Sequence, residues 1–331
     1  IGGTRQAYDL VTLALRAGKP VVTGNKALLA EYGAEIFKLS AEMGTPIYFE
    51  ASAGGGIPII QSLQNSLICN HINSIVGIIN GTSNYILSAM GEHGADYADA
   101  LAQAQKLGFA EEDPSLDVNG WDAAHKALIL AMLAYGTTIS PDKIYVRGIE
   151  NITSRDFEFA KKLGYTIKLL VVIRYHEGQE DALELRVQPC FVHDWHILAS
   201  VNGVFNAISV TGNAIGDVMF YGRGAGKLPT ASAVVADVID IAKDLKTARC
   251  AVWGPGSRDL VVSSDILSSR WYVRGTASMD KVRAAFGEIS PLARGGAPAG
   301  ETAFLTAPMT EPQVRARLEG MELHSLIRVL E

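Results

Sequence analysis

Helical and strand-like patterning alternate through the first fifty residues, and this alternation limits more than any other feature what the chain can fold into. Over residues 5–17 the apolar Tyr8, Leu10, Val11, Leu13 and Leu15 recur at mostly helical spacing. Gly18 then stands where a helix-terminating glycine would, and Pro20 follows. Residues 21–23 read as a short buried strand, 25–43 as a second amphipathic helix stopped by Gly44, and 46–50 as the next strand. Helix, strand, helix, strand in so short a span is α/β grammar, that of half a doubly wound nucleotide-binding sheet.

Beyond residue 51 the grammar becomes α+β. The stretch SAGGGIP (52–58) is a turn leading into a helix, 72–79 is an apolar strand, and helices are predicted at 82–92, 96–107 and 120–135. A strongly apolar strand at 166–175 is expected to pair with 183–192, and mixed short segments follow to Tyr221. A glycine-rich stretch precedes a clean helix at 231–245. From Ser268 a last unit reads strand (270–274), helix (279–286), a loop rich in Gly, Ala and Pro, strand (302–306), helix (312–318) and strand (325–330). The expected fold class is α/β. A partial Rossmann-type nucleotide-binding domain spans 1–50, and a helix at 229–247 returns to it. An α+β domain spans 51–228, and a small α+β domain spans 268–331.

A length of 331 residues suits two or three domains that each bury a core. The 29 basic and 35 acidic side chains leave a net charge of −6, which argues against broad binding to nucleic acid or an anionic membrane. Cys69, Cys190 and Cys250 lie far apart without metal-ligand spacing, so neither a disulfide framework nor a structural zinc is expected, and a cytoplasmic setting fits. The longest apolar run, 128–135, is far short of the ~20 residues that span a bilayer. The opening Ile1-Gly2-Gly3-Thr4 reads as a strand end and turn entered in mid-domain rather than as a leader, so residues upstream are expected.

The densest chemistry lies in AQKLGFAEEDPSLDVNGWDAAHK (104–126), where Glu111, Glu112, Asp113, Asp117, Asp122, His125 and Lys126 fall close together. On the helix that Gly120 precedes, Asp122 and Lys126 are four positions apart and share a face, acid N-terminal to base. That face continues with apolar Ile129 and Leu133, so the pair leads into a core. A partly desolvated lysine beside a carboxylate can donate or accept a proton. An ordinary helix ion pair, stabilising by a few tenths of a kcal/mol, explains the same spacing.

The pattern Ala104-x3-Gly108-Phe-Ala-x2-Asp113-Pro114-x2-Asp117-Val-x-Gly120-x-Asp122-x3-Lys126 resembles the signature of homoserine dehydrogenases, with every fixed position filled. AGKPVVTGNKALLA, FEASAGGGIPII, IINGTSNYIL and GRGAGKLPTASAVVAD resemble further family segments, in the family's order. The resemblance implies oxidoreduction between L-homoserine and L-aspartate 4-semialdehyde with NADP or NAD, within amino-acid biosynthesis. It implies Lys126 as acid/base and Asp122 as its partner and a substrate contact. Glu111 and Asp117 would hold the amino-acid end of the substrate, with Thr82 a further contact, while His125 has no matching role. Cofactor positions carried over are Thr4, Lys26 and Gly108, together with Gly222, Gly224 and Gly226 ahead of a helix N-terminus. A sodium site, mainly of backbone carbonyls, falls on Glu50, Ala53, Gly55 and Ile57. The resemblance also assigns the catalytic and dimerisation roles to the 51–228 domain, and implies a homodimer or homotetramer with a small-molecule amino-acid substrate and no nucleic-acid or membrane partner.

Two departures matter. No GxGxxG follows a strand near the start, where the family carries its pyrophosphate loop, so that loop and the residue choosing between NAD and NADP are expected upstream. The tail resembles an ACT-type regulatory domain but reads one strand short, and its first turn, GTASMDK, departs from the family pattern, so threonine feedback is not expected. Two other functions stay open on sequence. A semialdehyde dehydrogenase forming an acyl-enzyme would need an activated cysteine. A non-enzymatic sensor would bind an amino acid through the tail.

Overall fold

The computed structural model describes residues 3–176, 182–243, 260–293, 298 and 300–331. Ile1, Gly2, Cys250 and the expected end of the helix at 229–247 lie outside the described residues.

The first unit is α1 (Arg5–Arg16), β1 (Val21–Val22), α2 (Lys26–Met43) and β2 (Ile47–Tyr48), with β1 and β2 parallel. Asn25 caps α2 through its side chain, which accepts from Leu28 N at 3.1 Å, and Gly44 ends the helix in the left-handed region. Leu15, Leu28, Ile36 and Phe37 are buried between these elements. α3 (Ile59–Gln61) runs into a π-turn over Ser62–Ser66, and β3 (Ile72–Ile78) follows.

Helices α4 (Gly81–His93), α5 (Tyr97–Lys106), α6 (Ser115–Val118) and α7 (Trp121–Tyr135) cover one face of a large sheet, joined by α8 (Ser154–Lys162). The sheet contains β4 (Tyr145–Val146), β5 (Tyr165–His176), β6 (Ala182–His193), β7 (Phe205–Gly212) and β8 (Gly216–Arg223). β5 and β6 pair antiparallel from Tyr165↔His193 to His176↔Ala182, the pairing expected from their apolar patterning. The mixed segments before Tyr221 resolve into the β7–β8 hairpin. α7 is buried nearly all round, as suits a helix pressed on a sheet inside a larger core.

α9 (Lys227–Lys243) starts four residues earlier than its patterning suggests, because Pro229 lies in the first turn, where a missing N–H costs nothing. It packs on β1 and on the 3₁₀ turn Glu50–Ser52. Asp237 Oδ2 accepts from Glu50 N at 2.9 Å and Asp240 Oδ2 from Gln61 Nε2 at 2.5 Å.

The tail consists of β9 (Trp271–Thr276), α10 (Met279–Phe286), β10 (Ile289–Leu292), β11 (Glu301–Thr306), α11 (Glu311–Arg317) and β12 (Glu322–Val329). The order β10-β11-β9-β12 is a complete split βαββαβ, so the expectation of a missing strand is corrected. β10 escapes sequence patterning because it is four residues long and holds Pro291, which an edge strand tolerates. β12 also pairs in parallel with β6 (Arg328↔Cys190, Val329↔Phe191), so one ten-stranded sheet runs through both parts. No helix among the described residues is long and apolar enough to cross a membrane.

Candidate active site

A cleft of about 570 Å3 opens where the first unit, the N-terminal ends of α4 and α7, and the turn into α9 converge. Its lining includes Lys26, Thr82, Gly108, Glu111, Asp117, Asp122, Lys126, Gly224 and Gly226 from the expected set, and Asn80, Asn206 and Arg223 besides.

Gly120 has φ of +90° and directs the chain into α7, where a Cβ would press within 3.2 Å of Val146. One turn into α7, Asp122 and Lys126 are each 8% exposed. Lys126 Nζ donates to Asp122 Oδ2 at 2.6 Å and to the Ile79 carbonyl at 2.8 Å. Lys26, at the start of α2, reaches the other Asp122 oxygen at 3.1 Å. Burial alone would push the Asp122 carboxyl up, but the Lys126 and Lys26 ammonium groups and the Asn80 amide outweigh it and hold it well below the usual carboxylate range.

Asn80, which sequence patterning did not single out, organises the centre. Its Oδ1 caps α4 by accepting from Ser83 N at 2.7 Å, and its Nδ2 donates to Asp117 Oδ1 at 2.7 Å and Asp122 Oδ2 at 2.8 Å. The available signal was an Asn directly before the Gly-Thr-Ser opening of a helix, an N-cap pattern. The Asp117 carboxyl is pushed up, chiefly by burial, because Asn80 and Lys126 only partly offset it. Ser83 Oγ donates to the Asp117 carbonyl at 2.7 Å, and Thr82 Oγ1 to the Phe109 carbonyl at 2.7 Å. Thr82 therefore fastens the Gly108–Glu111 turn to α4, while the Glu111 side chain stays exposed at the rim.

The other expected positions separate. Gly222 pairs with Asn206 within the hairpin and is absent from the cleft lining, unlike Gly224 and Gly226. Thr4 precedes α1 beside a second cleft of about 550 Å3, whose lining includes Gly3, Thr23 and Asn25 and which shares Gly24 with the first. His125 is half-buried, its ring 5.9 Å from Trp121. Of the cysteines, Cys69 is exposed and Cys190 is buried, where it accepts from Arg186 Nη1 at 3.4 Å, and neither lines the cleft. An acyl-enzyme on either thiol has no geometric support.

The oxygen-rich loop at 50–57 is built around Glu50, which is 4% exposed. Its carboxylate accepts from Ile60 N at 3.0 Å and Gln61 N at 2.7 Å. The Gly54 and Ile57 carbonyls accept from Ile57 N and Ile59 N. Burial above all pushes the Glu50 carboxyl up to about 7, against the pull of these amides and with Asp237 adding to the rise. A Cβ on Gly55 would overlap the Gly224 carbonyl, so the loop and the turn into α9 touch backbone to backbone.

The chain matches two family models: "Homoserine dehydrogenase" over residues 58–239 and "Homoserine dehydrogenase, NAD binding domain" over 1–50. It is 51% identical over 242 residues to the homoserine dehydrogenase of Neisseria gonorrhoeae, covering 73% of this chain and 55% of that protein. With that of Helicobacter pylori it shares 44% over 292 residues, covering 88% and 68%. The chain thus spans about half the length of most of the curated relatives it matches. Among solved structures, a homoserine dehydrogenase from Thiobacillus denitrificans superposes with a TM-score of 0.89 at 36% identity, covering 100% of this chain and 81% of that one. A hyperthermophilic archaeal homoserine dehydrogenase in complex with NADPH gives 0.64 at 31% identity, covering 75% and 72%. Signature, cleft and relatives agree: the chain belongs to the homoserine dehydrogenase family.

Proposed function

We propose that the protein interconverts L-homoserine and L-aspartate 4-semialdehyde, with Lys126 as acid/base. The observation that carries this reading is the buried Lys126 ammonium, fixed by Asp122 and the Ile79 carbonyl at the wall of the cleft. A bound NAD or NADP supplies the hydride acceptor or donor; the matching NAD-binding model over 1–50 and the NADPH held by the archaeal relative support it. In the reducing direction negative charge builds on the substrate oxygen, and Lys126 stabilises that charge and delivers a proton to it. In the oxidising direction Lys126, as the neutral amine, takes the hydroxyl proton and becomes the ammonium. Asp122 keeps the ammonium oriented, and Lys26 balances the second Asp122 oxygen. Asp117 and Glu111 face the same space and suit the substrate ammonium.

A dinucleotide would be held by Lys26, Gly108, Gly224 and Gly226 in the catalytic cleft and by the cleft beside Thr4, which shares Gly24 with it. Glu50, Ala53, Gly55 and Ile57 would hold a sodium ion, since oxygen donors suit a hard cation, and its charge would relieve the buried Glu50 and Asp237 carboxyls, the latter pushed up to about 6, mainly by burial. The βαββαβ tail is an ACT-like domain. A homodimer or homotetramer is supported by the exposed Met219 and Tyr221 along edge strand β8 and Ile215 in the turn before it, and a cytoplasmic location by free Cys69 and Cys190.

The test is reduction of NAD+ or NADP+ by the full-length protein on addition of L-homoserine. Dinucleotide reduction that requires homoserine supports the reading. A dinucleotide left oxidised under both cofactors overturns it.

A further inference from the structure

Asn206, the second residue of β7, is fully buried, yet its carboxamide oxygen and nitrogen both lack a hydrogen-bond partner among the described residues. It shares a face of the strand with Ile208 and Val210, which lie in the main core. A polar side chain on that face is out of place unless something pairs with it, because a buried amide without partners loses its hydration for no return.

Its surroundings are specific. The amide occupies the space a Cβ on Gly224 would need, so Gly224 is the only residue that fits above it. On its other side, a Cβ on Gly81 would come within 3.7 Å of Asn206 Oδ1. The amide therefore lies between the Asn80–Thr82 turn and the turn into α9, the two backbone segments that wall the cleft. The backbone that leads into Asn206 is held in place. Asn84 Nδ2 donates to the Val201 and Phe205 carbonyls, both at 3.1 Å, and Lys168 Nζ donates to the Val201 carbonyl at 2.7 Å.

We infer that Asn206 is a positioning residue for the Arg223–Gly226 turn: its carboxamide pairs with peptide groups of that turn when a dinucleotide occupies the cleft. A carboxamide offers one donor and one acceptor side by side, which matches the N–H and C=O of a peptide unit. Gly56 N anchors the start of the turn by donating to the Arg223 carbonyl at 3.0 Å, while Gly224 and Gly226, the latter at φ of +122°, leave the rest of it free of side chains that would block the pairing. Among the described residues the carboxamide has no protein partner, and the shift of the turn supplies two.

This inference rests on the reading of the cleft as a dinucleotide site, and its test separates the two. Asn206→Leu, nearly the same size, and Asn206→Ala are compared with the wild-type full-length protein, using NADP and NAD as probes. Dinucleotide Kd is expected to rise about tenfold in both variants, the loss of about 1.4 kcal/mol. The loss is expected to fall more on dinucleotide KM than on kcat at saturating dinucleotide. The melting temperature of ligand-free Asn206→Leu is expected to rise by about 2 °C, because an unpaired buried amide is replaced by an apolar group of its shape. A residue with a merely structural role gives the opposite sign. A fall in that melting temperature shows the amide already paired in the free protein and overturns the inference. Unchanged dinucleotide affinity in either variant overturns it too, with the reading of the site intact. A wild type that binds neither dinucleotide overturns both.

Discussion

Lys26 Nζ lies 3.1 Å from Asp122 Oδ1, an ion pair that joins the first residue of α2 to the first turn of α7 across the cleft. Because Lys126 occupies the other Asp122 oxygen, the two lysines share one carboxylate but differ in placement: the Lys126 side chain is 11% exposed and that of Lys26 36%. Lys126→Ala is expected to lower kcat by about 10²–10⁴-fold, the range for loss of a positioned acid/base. Lys26→Ala removes charge balance at Asp122 and the proposed cofactor contact, and is expected to act mainly on dinucleotide KM. Steady-state kinetics with either substrate varied checks both, and normal turnover in Lys126→Ala removes that residue from the mechanism.

Acid stability follows from the same carboxylate. Since the two ammonium groups hold the folded-state pKa of Asp122 below its ordinary value of about 3.9, the unfolded chain binds the proton first as pH falls. The stabilisation is complete above the unfolded pKa and is lost as pH drops below about 4 toward the folded pKa. Urea titrations at neutral pH and at about pH 3 are expected to show Asp122→Asn less stable than wild type at neutral pH, with the gap narrowing in acid. A gap independent of pH contradicts the assignment.

Much of this centre is legible in the sequence because it is local. Asp122 and Lys126 meet through helical spacing alone, and the apolar Ile129 further along the same face marks the pair as core-directed. Asn80 and Asn206 are not legible that way. Each acts on groups far away in the chain, Asn80 on Asp117 and Asp122, and Asn206 beneath Gly224. The contact arises only when α4 and α7 pack on the sheet whose edge is the β7–β8 hairpin. For the same reason the link from the Thr82 hydroxyl to the Phe109 carbonyl is not visible in the sequence, where the resemblance implies Thr82 only as a substrate contact. β10 fails for a different cause: an edge strand of four residues has too little periodicity to register.

Glu50 and Asp237 carry the opposite pH sign. Both carboxyls are raised, to about 7 and about 6, so between about pH 4 and pH 7 the native state holds protons that the unfolded chain has released, and stability declines as pH rises. A cation bound at the 50–57 loop would stabilise the ionised forms and flatten that decline. At about pH 8 the melting temperature is expected to be higher in sodium chloride than in choline chloride of equal ionic strength, and Glu50→Gln is expected to abolish the difference. Equal melting temperatures in the two salts argue against the sodium site.

The tail is locked to the body through Asp156, which is fully buried at the start of α8. Its carboxylate accepts from Thr153 N at 3.0 Å, closing a capping box, and also from Tyr272 Oη at 3.1 Å and Arg274 Nε at 3.0 Å on β9. Arg274 is 4% exposed and also meets Glu301 at 3.3 Å. Removing Asp156 leaves that guanidinium buried with half its compensation, uncaps α8 and frees the Tyr272 hydroxyl. Asp156→Ala is therefore expected to destabilise the protein by about 3–5 kcal/mol in urea unfolding. Asp156→Ala combined with Arg274→Met is expected to recover part of that loss, since the stranded charge is gone. Dinucleotide affinity of the single variant is expected to match wild type at low temperature, because Asp156 does not line the cleft. A loss below about 1 kcal/mol, the scale of an exposed pair, shows that this junction does not hold the tail in place.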